Sequence, residues 1–407
     1  MTIATDFNPV GMSFDDVYNA LKNMREEQAI FFSEPLQAWV VTRYDDIRAM
    51  LDNPAFTVEG TLQGFNYDAE TEAILSSGIN WNETAHIAGA EGEEHARLKK
   101  ILLPILNPRR LRALEPVVRE LAIELIERFR GDGHCEFMSA FAYLLPIYTV
   151  FRFIGFDSAE DDLDQLARWS GNTFKIWLTP MAPEEQKQCA RDAVDYQNYI
   201  RRKINDRRKN PRDDLMTEMV LAMDRGDIDI SEDELVLMYI FTFIGAGHET
   251  TMAQLGNSVY QLLRKRDRWE NLTSQPDDIL DIVEETIRYD GSVLGWYRRV
   301  GQDTDFLGQQ LNKGDFVVMA FGSGNHDPSQ FSEPENYCPI RQHRKRPLTF
   351  SQGRHFCLGA PLARIEVKVA LEELSQRLPQ LRLTADQSIK LAPSVATRVI
   401  ERLELQW

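Results

Sequence analysis

Cysteine is scarce in these 407 residues: there are four, at Cys135, Cys189, Cys338 and Cys357, widely spaced and with no CxxC pair. That spacing excludes a disulfide-stapled scaffold and a zinc ribbon, and it fits a reducing cytoplasm. Positive charge is in deficit too, with 46 Lys and Arg against 63 Asp and Glu for a net −17. A nucleic-acid-binding surface needs the opposite balance to displace phosphate counterions, so nucleic acid is not an expected partner. Long hydrophobic runs are missing: the strongest, Leu235 to Gly247, is too short to cross a bilayer and runs into His248 and Glu249. Met1 to Gly11 is polar and acidic, without the apolar core of an export signal, so no membrane partner is expected. Repeats, low-complexity tracts and Gly/Ser linkers are also lacking, which predicts one large domain over residues 1–407.

The residues that are present read as mainly helical with small sheets. Trp39 to Thr42 has strand character, and Tyr44 to Leu51 has a helical pattern with Asp in its first turn. Residues 60–92 lack steady periodicity and predict a long functional loop with short helical turns. From Glu93 to Val220 the pattern is helical, with Pro116 to Ile126 as an example of apolar residues at helical spacing. Ser231 followed by Glu234 is a capping box that should start a helix running to Lys265. A further helix is expected over Asp277 to Tyr289, a strand around Val317 to Met319, and a final helix from Leu358 to Arg377.

Most lone cysteines are small buried hydrophobes, the reading given to Cys135 and Cys189. Cys357, in Phe350-Ser351-Gln352-Gly353-Arg354-His355-Phe356-Cys357-Leu358-Gly359, differs in its surroundings. It stands at the expected start of a helix, where N–H groups and the helix dipole favour an anionic sulfur. Gly353 and Gly359 allow close backbone approach to a flat macrocycle, Phe350 can shield the sulfur, and Arg354 and His355 can meet anionic substituents. A thiolate ligand pushes electron density onto heme iron and favours O–O cleavage.

This segment resembles the heme loop of the cytochrome P450 family, Phe-x-x-Gly-x-x-x-Cys-x-Gly, at Phe350, Gly353, Cys357 and Gly359; Ser351 stands where the family usually has glycine. The resemblance implies heme b as cofactor, Cys357 as iron ligand and a single P450-type domain. Taken alone, Glu285 and Arg288 are a helix-surface pair worth a few tenths of a kcal/mol. They also look like the family's Glu-x-x-Arg, with Arg341 as third partner. Ala246-Gly247-His248-Glu249-Thr250-Thr251 puts polar groups into an apolar helix, where unsatisfied ones cost ~1–3 kcal/mol each. It resembles the family's oxygen-binding stretch, implying room for dioxygen at Ala246 and Gly247, a hydrogen bond from Thr250 and a proton relay through Glu249. His95 matches a His-x-x-x-Arg propionate motif in which Lys99 replaces arginine, keeping the charge but losing the fork. Arg298 stands at the offset of another propionate arginine, with Arg299 competing for the role, and His355 completes the anchors.

The resemblance runs from about Trp39 to the C-terminus and looks closest to the heme domains of bacterial self-sufficient members. No cysteine follows Cys357, so no Cys₄ iron–sulfur cluster does either, and electrons are expected from a separate iron–sulfur ferredoxin and NAD(P)H-dependent ferredoxin reductase. Arg341 to Arg346, with Lys99, Lys100, Arg109, Arg110 and Arg112, form basic clusters suited to an acidic donor. The expected function is monooxygenation of a small organic molecule, by hydroxylation or O-demethylation; the alternative is a heme sensor or carrier, which needs no Glu249–Thr250 pair. Pocket residues are expected from Phe65 to His86, Phe174 to Trp177, Phe243 to Ala246, Val293 to Trp296, and Val395 to Thr397.

Overall fold

The computed structural model describes residues 6–61, 67–178, 181–341 and 345–407, and all of their side chains except those of 177 and 178. Phe65, Gln342, His343, Arg344 and the Trp177 side chain therefore lie outside the described residues. The architecture is mainly helical with small sheets, as expected. The chain divides into two compact units, each built from separated segments: the chain up to Thr57 with Pro108–Leu145 and Thr250–Trp407, and Val58–Asn107 with Pro146–Glu249. No change of composition marks these divisions because the chain re-enters the first unit twice.

In the first unit, the helix Ala360–Arg377 packs against Glu115–Phe129, Ile279–Tyr289 and the short Pro108–Arg112. A five-stranded sheet sets Ile30–Ser33, Ala38–Val41, Phe316–Met319, Trp296–Val300 and Phe56–Thr57 side by side. Trp39 pairs with Val317 in parallel register, and Arg298 pairs with Val317 in antiparallel register. The two-residue repeat of the strand therefore turns Arg298 and Arg299 to opposite faces. A three-stranded sheet joins His134–Glu136, Glu404–Gln406 and Arg382–Leu383. A hairpin turns at Leu307 and Gly308, with φ of 54° and 77°, as a primed turn requires.

In the second unit, Pro183–Lys209 is the spine, with Leu163–Leu178, Ala69–Ser76 and Leu215–Asp224 against it. The predicted helix from Ser231 does begin with its capping box: Glu234 N–H donates to Ser231 Oγ at 3.2 Å and Ser231 N–H to Glu234 Oε2 at 2.7 Å. It is not uniform, however. Glu232–Leu237 is α-helical, Met238–Gly245 widens to π-helical bonding, and Ala246–Leu263 returns to α. Wide turns of this kind cost backbone hydrogen-bond quality and are frequent at functional sites.

Candidate active site

Ser351 has φ 58° and ψ −173°, and Gly353 has φ 72°, so two left-handed residues bend the chain between Phe350 and Cys357. The bend closes with Cys357 N–H donating to the Phe350 carbonyl at 3.0 Å and Phe356 N–H to the Gly353 carbonyl at 3.2 Å. The helix that follows starts at Ala360, slightly later than expected, and leaves N–H groups free to face the sulfur. Burial pushes the Cys357 thiol up; the N–H groups of Gly359 and Ala360 and the Arg364 guanidinium pull it the other way. The side chain is nonetheless exposed. The sulfur is accessible, and although burial outweighs them, two N–H groups and a guanidinium beside it favour its anion. Among the described residues no cluster of three His, Cys, Asp or Glu could hold a bare ion. The accessible sulfur, with N–H groups and Arg364 beside it, fits a metal-bearing group that would take one thiolate from the protein. The Ser351 hydroxyl is buried with no hydrogen-bond partner among the described residues.

Glu285 and Arg288 are not a surface pair. Both are buried, and Arg288 Nε and Nη2 each donate to the Glu285 carboxylate at 2.8 Å. Arg341 Nη2 donates to the same carboxylate at 3.2 Å and Cys338 N–H at 2.8 Å. Burial raises the Glu285 pKa, but these donors outweigh it and hold the carboxyl below the usual range. Arg288 also donates to the carbonyls of Asn325 and Pro334, at 2.8 and 3.0 Å, tying the helix to the segment before the cysteine loop. Arg364 was not visible in the sequence as a site residue. It lies 4.5 Å above the Phe350 ring and pairs with Glu284, so one side chain links the loop, the helix after Cys357 and the Ile279–Tyr289 helix. Its signal was weak because neither Glu284 nor Arg364 falls within a fixed motif position.

Arg298 is buried, whereas Arg299 is held over the Phe316 ring at 5.5 Å and donates to the Gly314 carbonyl at 3.4 Å. The two candidates are thus separated by sheet face. His355 is half-buried at the end of the short 3₁₀ turn Gly353–His355. Thr250 is half-buried and Thr251 buried on the Ala246–Leu263 helix.

In the second unit, His95 is buried and Lys99 half-buried, one turn apart on one face of Gly92–Ile105. Arg97, between them, donates instead to the Asp229 carbonyl at 2.5 Å and pairs with Glu234. Ala246 is exposed and Glu249 half-buried. Burial pushes the Glu249 carboxyl above the usual range. Gly247 has a packing reason for its size: a Cβ there would stand 3.0 Å from Val150 Cγ2. At Gly245 it would sit 1.8 Å from the Phe174 ring, so the π-helical stretch is stripped to backbone where that ring lies. Phe241, on the π-helical stretch, gathers Trp81 at 5.0 Å, Phe174 at 5.6 Å and His86 at 6.3 Å between ring centroids.

An accessible cysteine beside N–H groups and a guanidinium, in the same unit as a buried Glu–Arg–Arg cluster, defines a heme-thiolate class of site. A family model described as Cytochrome P450 matches residues 61–281 and 279–389. The mycinamicin IV hydroxylase/epoxidase of Micromonospora griseorubida is 32% identical over 384 residues, covering 93% of this chain and 92% of that protein. Among solved structures, cytochrome P450 CREJ in complex with (4-ethylphenyl) dihydrogen phosphate aligns with TM-score 0.90 and 30% identity, over 99% of this chain and 100% of that one. An intact type IV self-sufficient cytochrome P450 monooxygenase aligns with TM-score 0.91 and 28% identity, over 100% of this chain and 53% of that one. The chain belongs to the cytochrome P450 family, whose members bind heme b and act as monooxygenases. The likeness to self-sufficient heme domains expected from its motifs is present in the structural neighbours.

Proposed function

We propose that this protein inserts one oxygen atom into a compact organic substrate, by hydroxylation or by oxidative O-demethylation, with electrons from a separate ferredoxin and ferredoxin reductase. The observation that carries the reading is the Cys357 environment: a deep, accessible sulfur facing two N–H groups and Arg364. Bound heme b supplies reductive activation of dioxygen, one atom going to substrate and the other to water. Cys357 is the iron ligand in this reading, with the Glu285–Arg288–Arg341 cluster fixing the segment behind it. His95, Lys99, Arg298 and His355 bind the propionates; the burial of Arg298 supports it over Arg299. Ala246 gives the oxygen site its room. Glu249, whose carboxyl burial pushes above the usual range, hands a proton toward Thr250, its neighbour at the start of the same helix. The two compact units act as one heme domain, and the reading places the protein in the cytoplasm; among the described residues no helix is long and apolar enough to cross a membrane.

A hydroxylase/epoxidase among the relatives supports oxygen insertion, and the aryl phosphate in the CREJ structure supports a small substrate. The test is the reduced, carbon-monoxide-bound spectrum, followed by NADH consumption and formaldehyde release with methoxyarenes and a surrogate ferredoxin system. The expected result is a red-shifted thiolate Soret band that Cys357→Ser abolishes, with substrate-dependent NADH use. A normal thiolate spectrum without NADH use by any substrate would favour a heme sensor or carrier.

A further inference from the structure

His86 is a deep histidine that the machinery above does not use. Its side chain is half-buried, yet among the described residues neither ring nitrogen has a hydrogen-bond partner. Burial alone moves its pKa, downward, with no neighbouring charge contributing. The ring closely approaches Gly89, where a Cβ would stand 2.6 Å from its Cε1 and 2.8 Å from its Nε2. Gly89 and Ala90 N–H groups donate to the His86 carbonyl at 3.1 and 3.0 Å, so a tight turn presents the imidazole. Beside it, Phe241 is flanked by Trp81 and by the half-buried Phe174. Offset and edge contacts with aromatic rings favour a flat aromatic guest beyond the area covered. Neither ring nitrogen is among the buried atoms left without a partner, so the imidazole stays open to a ligand group that hydrogen-bonds to it.

We infer that His86 is a specificity-determining residue that binds the hydroxyl of an uncharged phenolic substrate, whose ring packs against Phe241 and Phe174. The inference rests on the reading that this is a substrate-oxidising heme protein and adds its substrate class. A hydroxyl suits either tautomer, since it donates to a bare ring nitrogen and accepts from a protonated one. A carboxylate does not, because no charged group acts on His86 to share an anion.

The experiment titrates the heme-loaded protein with 4-methoxyphenol, anisole and 4-methoxybenzoate, following the Soret spin shift and, in parallel, calorimetric heat. One neutral hydrogen bond predicts about five- to tenfold tighter binding of 4-methoxyphenol than of anisole. His86→Phe keeps the ring and should bring the two to parity, with the anisole Kd unchanged within about twofold. Gly89→Ala keeps the imidazole but displaces it, and should erode the same preference while leaving the carbon monoxide spectrum normal. Equal binding of phenol and anisole by the wild type, a preference that survives in His86→Phe, tightest binding of the benzoate, or no saturable binding of any probe overturns the inference. Failure of the oxidase reading looks different: the binding preference is intact but neither NADH nor dioxygen is consumed.

Discussion

At the scale of single residues, the cysteine loop carries both its chemistry and its strain. Ser351 occupies a backbone region close to one that is essentially glycine's, which costs a side-chain-bearing residue ~1–3 kcal/mol. Its hydroxyl is buried without a partner among the described residues as well. Glycine there gives back ~0.5–1 kcal/mol through the flexibility of the unfolded chain. Ser351→Gly is therefore expected to stabilise the folded protein by about 1 kcal/mol, read as a higher midpoint in chemical denaturation; a lower midpoint would show that the serine is not strained. Glu249 makes a pH-dependent prediction. Its folded pKa is raised by burial, so its contribution is favourable while it is protonated and is lost as pH rises through that raised value. Glu249→Gln should then be more thermostable than wild type at alkaline pH, with the gap closing as pH falls toward the ordinary carboxylate range. Substrate oxidation by the variant should drop about 100-fold, the scale of a lost general acid. The chemistry of these positions was legible because it depends on residue type at fixed spacing. His86 was expected only as one end of a pocket loop and Arg364 was not marked as a site residue, since what defines them is depth and neighbours rather than spacing.

At the scale of elements, Glu285 and Arg288 show how much the fold adds to a motif. Spacing put them on one helical face, and the match to a family pattern supplied Arg341; only packing shows that all three are buried together. Removing one partner of such a cluster leaves uncompensated buried charge, at ~3–5 kcal/mol. Glu285→Gln should lower stability by about that amount and weaken heme retention, because the two guanidinium groups lose their shared negative charge and an amide NH2 replaces one of the two acceptor oxygens. Wild-type stability should itself fall as pH drops below the ordinary carboxylate range: the depressed pKa of Glu285 contributes above its unfolded value and is lost through its folded one. Heme retention and denaturation midpoint from pH 3 to 7 read both effects. The capping box at Ser231 was legible because a helix start has a polar signature. The widening over Met238–Gly245 was not, since an apolar run all round offers no period from which to count residues per turn. The small residues near it were read as room for dioxygen, and Gly247 proves to be fitted to Val150.

At the scale of the whole molecule, the two units explain why no boundary could be read: each is sewn from segments distant in sequence, and internal packing, not composition, defines them. Net charge was legible, and it sets up the last expectation. A chain at −17 repels an acidic electron donor unless a local patch reverses the field. In the first unit, Arg109 and Arg112 are exposed on the Pro108–Arg112 helix, which packs against the helix that begins just after Cys357; Lys345 and Arg346 are exposed in the same unit. Lys100 is exposed in the second. Exposed charges of this kind contribute little to stability but set encounter rates, and their reach is about 8–10 Å at moderate salt. The double reversal Arg109→Glu with Arg112→Glu should therefore leave the denaturation midpoint and the carbon monoxide spectrum unchanged, while slowing second-order reduction by a plant-type ferredoxin about tenfold at low ionic strength. Raising salt should slow the wild type toward the variant, because screening removes the attraction that the mutations remove. Stopped-flow reduction under carbon monoxide measures both rates. Should the double reversal leave the ferredoxin rate and its salt dependence unaltered, the donor does not approach over this helix.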